Sequence, residues 1–120
     1  MIITTAAKVD LARARASEIA IPLITHISVG TGGLSAGVPR TPLPTETTLV
    51  AETLKKSVTY IGRTANKNVY EIELGVLECN GQAISEMGVW SGATLIAIDT
   101  FTSKNKDANT VQTYRYEEEF

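Results

Sequence analysis

Apolar residues recur at Val9, Ala12, Ala16 and Ile19, three, four and three positions apart, a spacing that lines one stripe of an α-helix. The pattern predicts a helix over 5–19 with Thr4 or Thr5 as its N-cap and Pro22 ending it. Ala12 and Ala16 make the stripe shallow, while Lys8, Asp10, Arg13 and Glu18 supply a solvated remainder. Such a stripe packs on a sheet of its own chain or on another subunit, and both readings stay open. From Leu23 the period changes to two: Leu23, Thr25, Ile27 and Val29 fall on one side and Ile24, His26 and Ser28 on the other, the mark of a strand closed by Gly30. Residues 30–44 then hold Gly30, Gly32, Gly33, Gly37, Pro39, Pro42 and Pro44, which neither a helix nor a sheet interior tolerates. They predict a long loop, and long loops inside compact domains are often functional.

Thr48 opens a stretch in which Leu49, Val50, Ala51 and Leu54 are apolar and Lys55 and Lys56 stand near the end, where cations favour the helix dipole, so a second, two-turn helix is expected. Turn chemistry divides the rest into segments 57–64, 69–79, 82–90 and 93–101, with Asn80-Gly81 matching a type I′ hairpin turn and Ser91-Gly92 a weaker signal of the same kind. Consecutive segments are expected to pair antiparallel. Tyr70, Ile72, Leu74 and Val76 alternate with Glu71, Glu73 and Gly75, giving one dry and one wet face. Leu95-Ile96-Ala97-Ile98 is apolar on both faces and should be central. The run Ile84–Trp90 does not alternate cleanly, and Gly88 within it marks a bulge or a close backbone approach. Residues 103–109 read as a polar loop. A last strand from Thr110 puts Tyr114 and Tyr116 on one face and ends in Glu117-Glu118-Glu119, a run that blunts a sheet edge.

The fold expected from these elements is α+β: one domain over 1–120, an antiparallel β meander of about five strands in residues 57–120, and two helices packed on it. A chain of 120 residues, 43% hydrophobic, can bury a core without disulfide or metal support. Its formal charge of −2 gives no basic footprint for nucleic acid. The lone Cys79 excludes an intrachain disulfide framework. The longest apolar stretch, Ile19–Ile24, is interrupted by Pro22, so neither a signal-peptide core nor a bilayer span is expected, and the product is expected to be soluble and made in the cytosol.

Candidate chemistry is mostly excluded by spacing. Gly32 and Gly37 supply the two glycines of a Walker-type loop, but Val38-Pro39 stands where the lysine and hydroxyl must follow; Ser35 occupies the third glycine of a dinucleotide fingerprint. His26, the only histidine, lacks a Gly-x-Ser-x-Gly partner motif and reads as a hydrogen-bonded structural side chain. Cys79 lacks a neighbouring cation that would activate it and reads as inert. Glu71 and Glu73 read as a wet strand face, and no metal or cofactor is expected. Glu86, set among Ile84, Met87, Val89 and Trp90, is a shielded carboxylate that needs backbone or arginine donors, fixing the chain near Gly88. Trp90, Tyr114 and Tyr116 could form a sugar-stacking platform, although core packing explains them more economically.

Read in order, the alanine-rich opening helix, Leu23-Ile24-Thr25-His26-Ile27-Ser28-Val29-Gly30-Thr31-Gly32, the Pro-rich loop, and Thr48-Leu49-Val50-Ala51-Glu52 with Lys55 resemble the N-terminal, baseplate-attachment domain of phage tail-collar and tail-fibre proteins, including fibres of R-type bacteriocins. Ile84-Ser85-Glu86-Met87-Gly88-Val89 and Leu95-Ile96-Ala97 resemble that family's Ile-x-Glu-Ile-Gly-Leu hairpin. Thr31 stands where the family commonly carries Asp, and Lys55 where it carries Arg. The resemblance implies a non-enzymatic tail structural protein, located in the virion tail and made in the host bacterial cytoplasm, that assembles with other tail or baseplate proteins and with copies of itself, a trimer being favoured. The net charge and the interrupted apolar stretch already exclude a nucleic-acid partner and a membrane from the expectation. The expected partner-binding residues are Val9, Ala12 and Ala16 on the helix and Gly30, Gly32, Gly33, Leu34, Pro39, Pro42 and Pro44 in the loop, the latter ordering against a neighbouring subunit; Glu86, Gly88 and Trp90 are expected to be structural. A module recognising host-surface glycans through Trp90, Tyr114 and Tyr116 is the alternative, and a small hydrolase using His26 a third.

Overall fold

A run of seven consecutive buried residues, Ile84–Trp90, can exist only in a strand covered on both faces, and the chain is organised around that strand. In a computed structural model covering residues 1–120, the elements are β1 (Ile2–Ile3), α1 (Thr5–Arg15), β2 (His26–Gly30), β3 (Leu34–Ser35), β4 (Val38–Pro39), β5 (Glu52–Ser57), β6 (Thr59–Thr64), β7 (Lys67–Leu74), β8 (Gln82–Ser91), β9 (Thr94–Lys106) and β10 (Gln112–Glu119). They form a five-stranded sheet in the order β1-β9-β8-β2-β5, a three-stranded sheet in the order β10-β7-β6, and the small hairpin β3-β4. All pairings are antiparallel. The fold is therefore mostly antiparallel β with one short helix, broadly α+β.

The apolar core lies between the two sheets. Ile27, Val29, Ile84, Met87, Val89 and Ala97 from the larger sheet meet Ile72, Leu74, Tyr114 and Tyr116 from the smaller. Leu49, Trp90, Leu95 and Ile98 form a second cluster. Each fully buried aliphatic side chain contributes roughly 1.5–3 kcal/mol of transfer free energy. The strand Leu95–Ile98 lies between β1 and β8, with Ala97 facing both Ile3 and Val89 in register.

Several expectations are corrected. The single meander from residue 57 is instead two sheets, because the segment after β7 crosses from one to the other. Asn80-Gly81 does not close a hairpin: β7 ends at Leu74, and the amide of Gln82 donates to the carbonyl of Cys79 with the positive φ (78°) falling on Gly81, the type II pattern. Val76 consequently leaves the dry face and is 46% exposed. The polar stretch 103–109 is strand as far as Lys106, whose buried ammonium donates to Asn80 Oδ1 and to the Asp107 carbonyl, at 2.9 and 2.7 Å. The strand expected from Leu23 begins at His26, leaving Leu23 71% exposed. The hairpin between β8 and β9 turns on Gly92-Ala93, one residue later than expected, with Gly92 at φ 58°.

The second helix is absent. Residues 48–51 are irregular and 52–57 are β5, paired with β2 from Ser57 opposite His26 to Glu52 opposite Gly30. Local propensity loses to two tertiary demands: Leu49 fills the cluster with Trp90, Leu95 and Ile98, and the amides of Val50 and Ala51 are taken by a side chain of β8. The first helix is shorter than expected and ends well before Pro22. Thr4 caps it, its hydroxyl accepting from the Ala7 amide and donating to the Leu95 carbonyl. Its far end is a Schellman motif, with the amides of Glu18 and Ser17 donating to the carbonyls of Arg13 and Ala14 and Ser17 at φ 61°.

Candidate functional site

Two features stand out where sequence pattern alone does not account for the structure: a clamped loop and an open cleft. The loop between β2 and β5, which includes β3 and β4, is held by Glu86. This carboxylate is fully buried. Its Oε2 accepts the amides of Gly32 and Ala51, both at 2.8 Å, and its Oε1 accepts the amide of Val50 at 2.9 Å. The donors come from both ends of the loop, so one side chain ties its entry to its exit. The Gly33 amide adds a bond to Ser85 Oγ at 2.9 Å, and the Thr31 amide one to the Ala51 carbonyl at 3.0 Å.

Arg40 completes the clamp. Its Nη1 pairs with Glu46 Oε1 at 2.7 Å, its Nε donates to the Gly32 carbonyl at 3.3 Å, and its Nη2 lies 3.8 Å from Glu86 Oε1. That Nη2 is buried and makes no hydrogen bond within the chain. The Glu46 carboxylate in turn accepts the Leu43 amide, and Thr100 Oγ1 donates to the Arg40 carbonyl, docking the loop onto β9. Backbone approach this close requires residues without a side chain. A Cβ on Gly33 would sit 1.8 Å from the Ser85 carbonyl oxygen, and one on Gly30 2.4 Å from that of Ala51.

Within one chain this loop is already held by its own residues. Gly30, Gly33 and Pro42 are buried, Gly32 and Leu34 half-buried, and only Pro39 and Pro44 among the expected loop contacts are exposed. Glu86 and Gly88 are packed in β8, where a Cβ on Gly88 would meet Leu95 and Ser28 at 2.9 Å. Trp90 is 6% exposed; its Nε1 donates to Ser28 Oγ at 2.8 Å, and the ammonium of Lys55 lies 3.7 Å from its ring centroid. Tyr114 and Tyr116 are each 5% exposed. All three rings expected to form a sugar-stacking platform are thus largely buried. His26 Nδ1 lies 2.9 Å from Thr25 Oγ1 and Nε2 lies 3.4 Å from Ser57 Oγ, two hydroxyls with no carboxylate to orient the ring. The Cys79 thiol is pushed up, chiefly by burial and then by the charge of Glu78.

The cleft lies between α1, residues 21–24 and the end of β10. Its volume is about 330 Å³, and its lining includes Ile3, Leu11, Ile24, Ile96, Tyr116 and the terminal run Glu117–Phe120. A second hollow, lined by Leu11, Ala14, Arg15, Ile21 and Phe120, shares two of these residues and extends the first along the helix. Leu11, Ile21 and Phe120 are 50, 72 and 74% exposed. The expected stripe Val9, Ala12 and Ala16 does not face this cleft's floor or the sheet: all three are exposed, and Ala7, Asp10 and Ala14 turn inward instead. Alanines on both sides of the helix leave almost no directional apolar signal, and the anchoring of Thr4 on β9 sets its rotation. Sequence pattern also missed Arg40 and Ser85; a lone arginine in a Gly/Pro run was the available signal for the first. The chain matches no family model, no curated protein and no solved structure.

Proposed function

We propose that this chain is a non-enzymatic assembly protein, a structural component of a phage or phage-like tail that joins other tail or baseplate proteins and copies of itself. The observation that carries the assembly reading is the apolar cleft left open beside α1, on a body whose one long loop is already closed by its own carboxylate. Exposed apolar surface gathered in one place, rather than scattered, is where proteins meet other proteins. The assignment to a tail rests on the resemblance of Leu23–Gly32 and Ile84–Val89 to the fibre-attachment family. Those two segments lie side by side as β2 and β8, Gly30 opposite Glu86, and include the clamp's acceptor and its Gly32 donor. The resemblance of Thr48–Lys55 to a helix of that family has no counterpart here, since these residues are irregular chain and strand.

Light scattering of the purified protein, alone and mixed with the products of its neighbouring genes, tests the reading. A mass above that of one chain, or a stable complex with a neighbour, is expected. A strict monomer that binds none of them overturns it.

A further inference from the structure

The cleft and the outer face of α1 carry opposite charge, and one chain supplies both. Four acidic residues line the cleft, Asp10, Glu117, Glu118 and Glu119, and of the three on β10 it is Glu118 that shares the inward side with Tyr114 and Tyr116. Asp10 lies 3.8 Å from its own Arg13, and Glu117 lies 3.1 Å from Lys67. Glu118 and Glu119 make no ion pair; burial pushes the Glu118 carboxyl up, against the lowering effect of a hydrogen bond from Asn68, as expected of an acid short of a cation.

The outer face of α1 has the reverse character. Thr5, Val9, Ala12 and Ala16 follow one another at four, three and four positions and are all exposed. Lys8, Arg13 and Arg15 flank them, and neither Lys8 nor Arg15 is paired within the chain. A shallow apolar ridge edged with cations is the shape and charge that an apolar groove with an acidic wall receives, in the manner of helix-in-groove recognition. Small side chains at Ala12 and Ala16 let a neighbouring surface come close to the helix backbone.

Resting on the assembly reading above, we infer that the occupant of the cleft is a second copy of this chain, which inserts the outer face of its α1. The two surfaces are different patches of one molecule, so the contact is heterologous and each copy both gives and receives. Ion pairs at the rim set the register and the encounter rate, while the apolar floor supplies the attraction.

Charge reversal tests this pairing. Sedimentation equilibrium of the full chain over a range of concentration and salt should show association that weakens as salt rises. Lys8→Glu with Arg13→Glu should weaken association by about tenfold or more, and Glu118→Lys should do the same. All three substitutions in one chain should restore it, a result no merely destabilised protein gives. Val9→Asp, at a half-exposed position on the outer face of α1, is the second route to the same loss should a reversal variant misfold. Association unchanged by either reversal and by Val9→Asp places the contact elsewhere, as does a wild-type monomer that still binds neighbouring gene products; either overturns the helix-in-cleft pairing and leaves the assembly reading standing. A wild-type monomer that binds nothing overturns both.

Discussion

Glu86 concentrates more structural consequence than any other side chain here. A buried carboxylate is costly to desolvate, and three backbone amides plus the nearby guanidinium of Arg40 offset that cost. Removing the acceptor strands all of those donors at once. Glu86→Ala is expected to destabilise the protein by about 3–5 kcal/mol, the range for breaking a buried charged network, and Glu86→Gln by about half as much, since one carbonyl oxygen remains. Urea denaturation of both variants measures this; a loss under about 1 kcal/mol for the alanine variant would show that the clamp is dispensable. Gly33 tests the same joint from the opposite side. Its added methyl would fall 1.8 Å from the Ser85 oxygen, inside any tolerable contact, so Gly33→Ala should cost about 2–3 kcal/mol by the same measurement. Gly37→Ala meets open space but sits at φ 81°, so its cost comes from backbone strain alone and should be smaller, about 1 kcal/mol.

At the scale of elements, the strands of the second half were legible because hydrophobic period and turn chemistry agree there. Tyr114 and Tyr116 share the buried side of β10 while Arg115 between them faces out to pair with Glu71 on β7 at 2.9 Å. What could not be read was which sheet each strand joins. The Asn80-Gly81 turn looks the same in sequence whether it closes a hairpin or carries the chain between layers; the difference lies in where β7 stops. The second helix failed for a related reason: Leu49, Val50 and Ala51 are compatible with helix locally, but partners in β8 and β9 claim them. Of the candidate site, a shielded Glu86 and a close approach at Gly88 were visible from the apolar company they keep, whereas the cleft was not, since its walls are drawn from the two ends of the chain. Burial of the β10 tyrosines has a measurable consequence. Loss of solvent raises each phenol from 10.0 to about 12, with Cys79 adding a smaller rise at Tyr114 and Glu118 and Tyr70 at Tyr116. A raised folded-state value means that the native protein holds protons the unfolded chain gives up between those limits. Stability from this source is therefore complete below pH 10 and lost as pH climbs toward about 12. Urea midpoints should fall across that window, and phenolate absorbance should show Tyr114 and Tyr116 ionising last, with Tyr70 also raised, chiefly by burial; a midpoint unchanged up to pH 12 would contradict the burial of these rings.

For the molecule as a whole, the question is whether the loop and the sheets open together. The loop from Thr31 to Ala51 is joined to the body by few bonds, and most of them converge on one strand: Gly32, Val50 and Ala51 on Glu86, and Gly33 on Ser85. The sheets are joined instead by the continuous core between β8, β2 and β7. Units held by such different contacts open with different free energies. In the wild-type protein at concentrations low enough to exclude association, the amides of Gly32, Gly33, Val50 and Ala51 should exchange slowly with solvent deuterium, because the chain itself holds them. In Glu86→Gln they should exchange faster by about tenfold or more, while the amides of Ile27, Val89 and Ala97 in the core strands keep most of their protection. Equal acceleration everywhere would mean that loop and sheets form one cooperative unit, with Glu86 part of the global core. Rapid exchange at these amides already in dilute wild-type protein would mean that the loop needs a partner to order it, and would return the Gly/Pro segment to the contact surface. Slow exchange there keeps the loop out of the adaptive part of any assembly, which leaves the cleft beside α1 as the surface with apolar area still to bury.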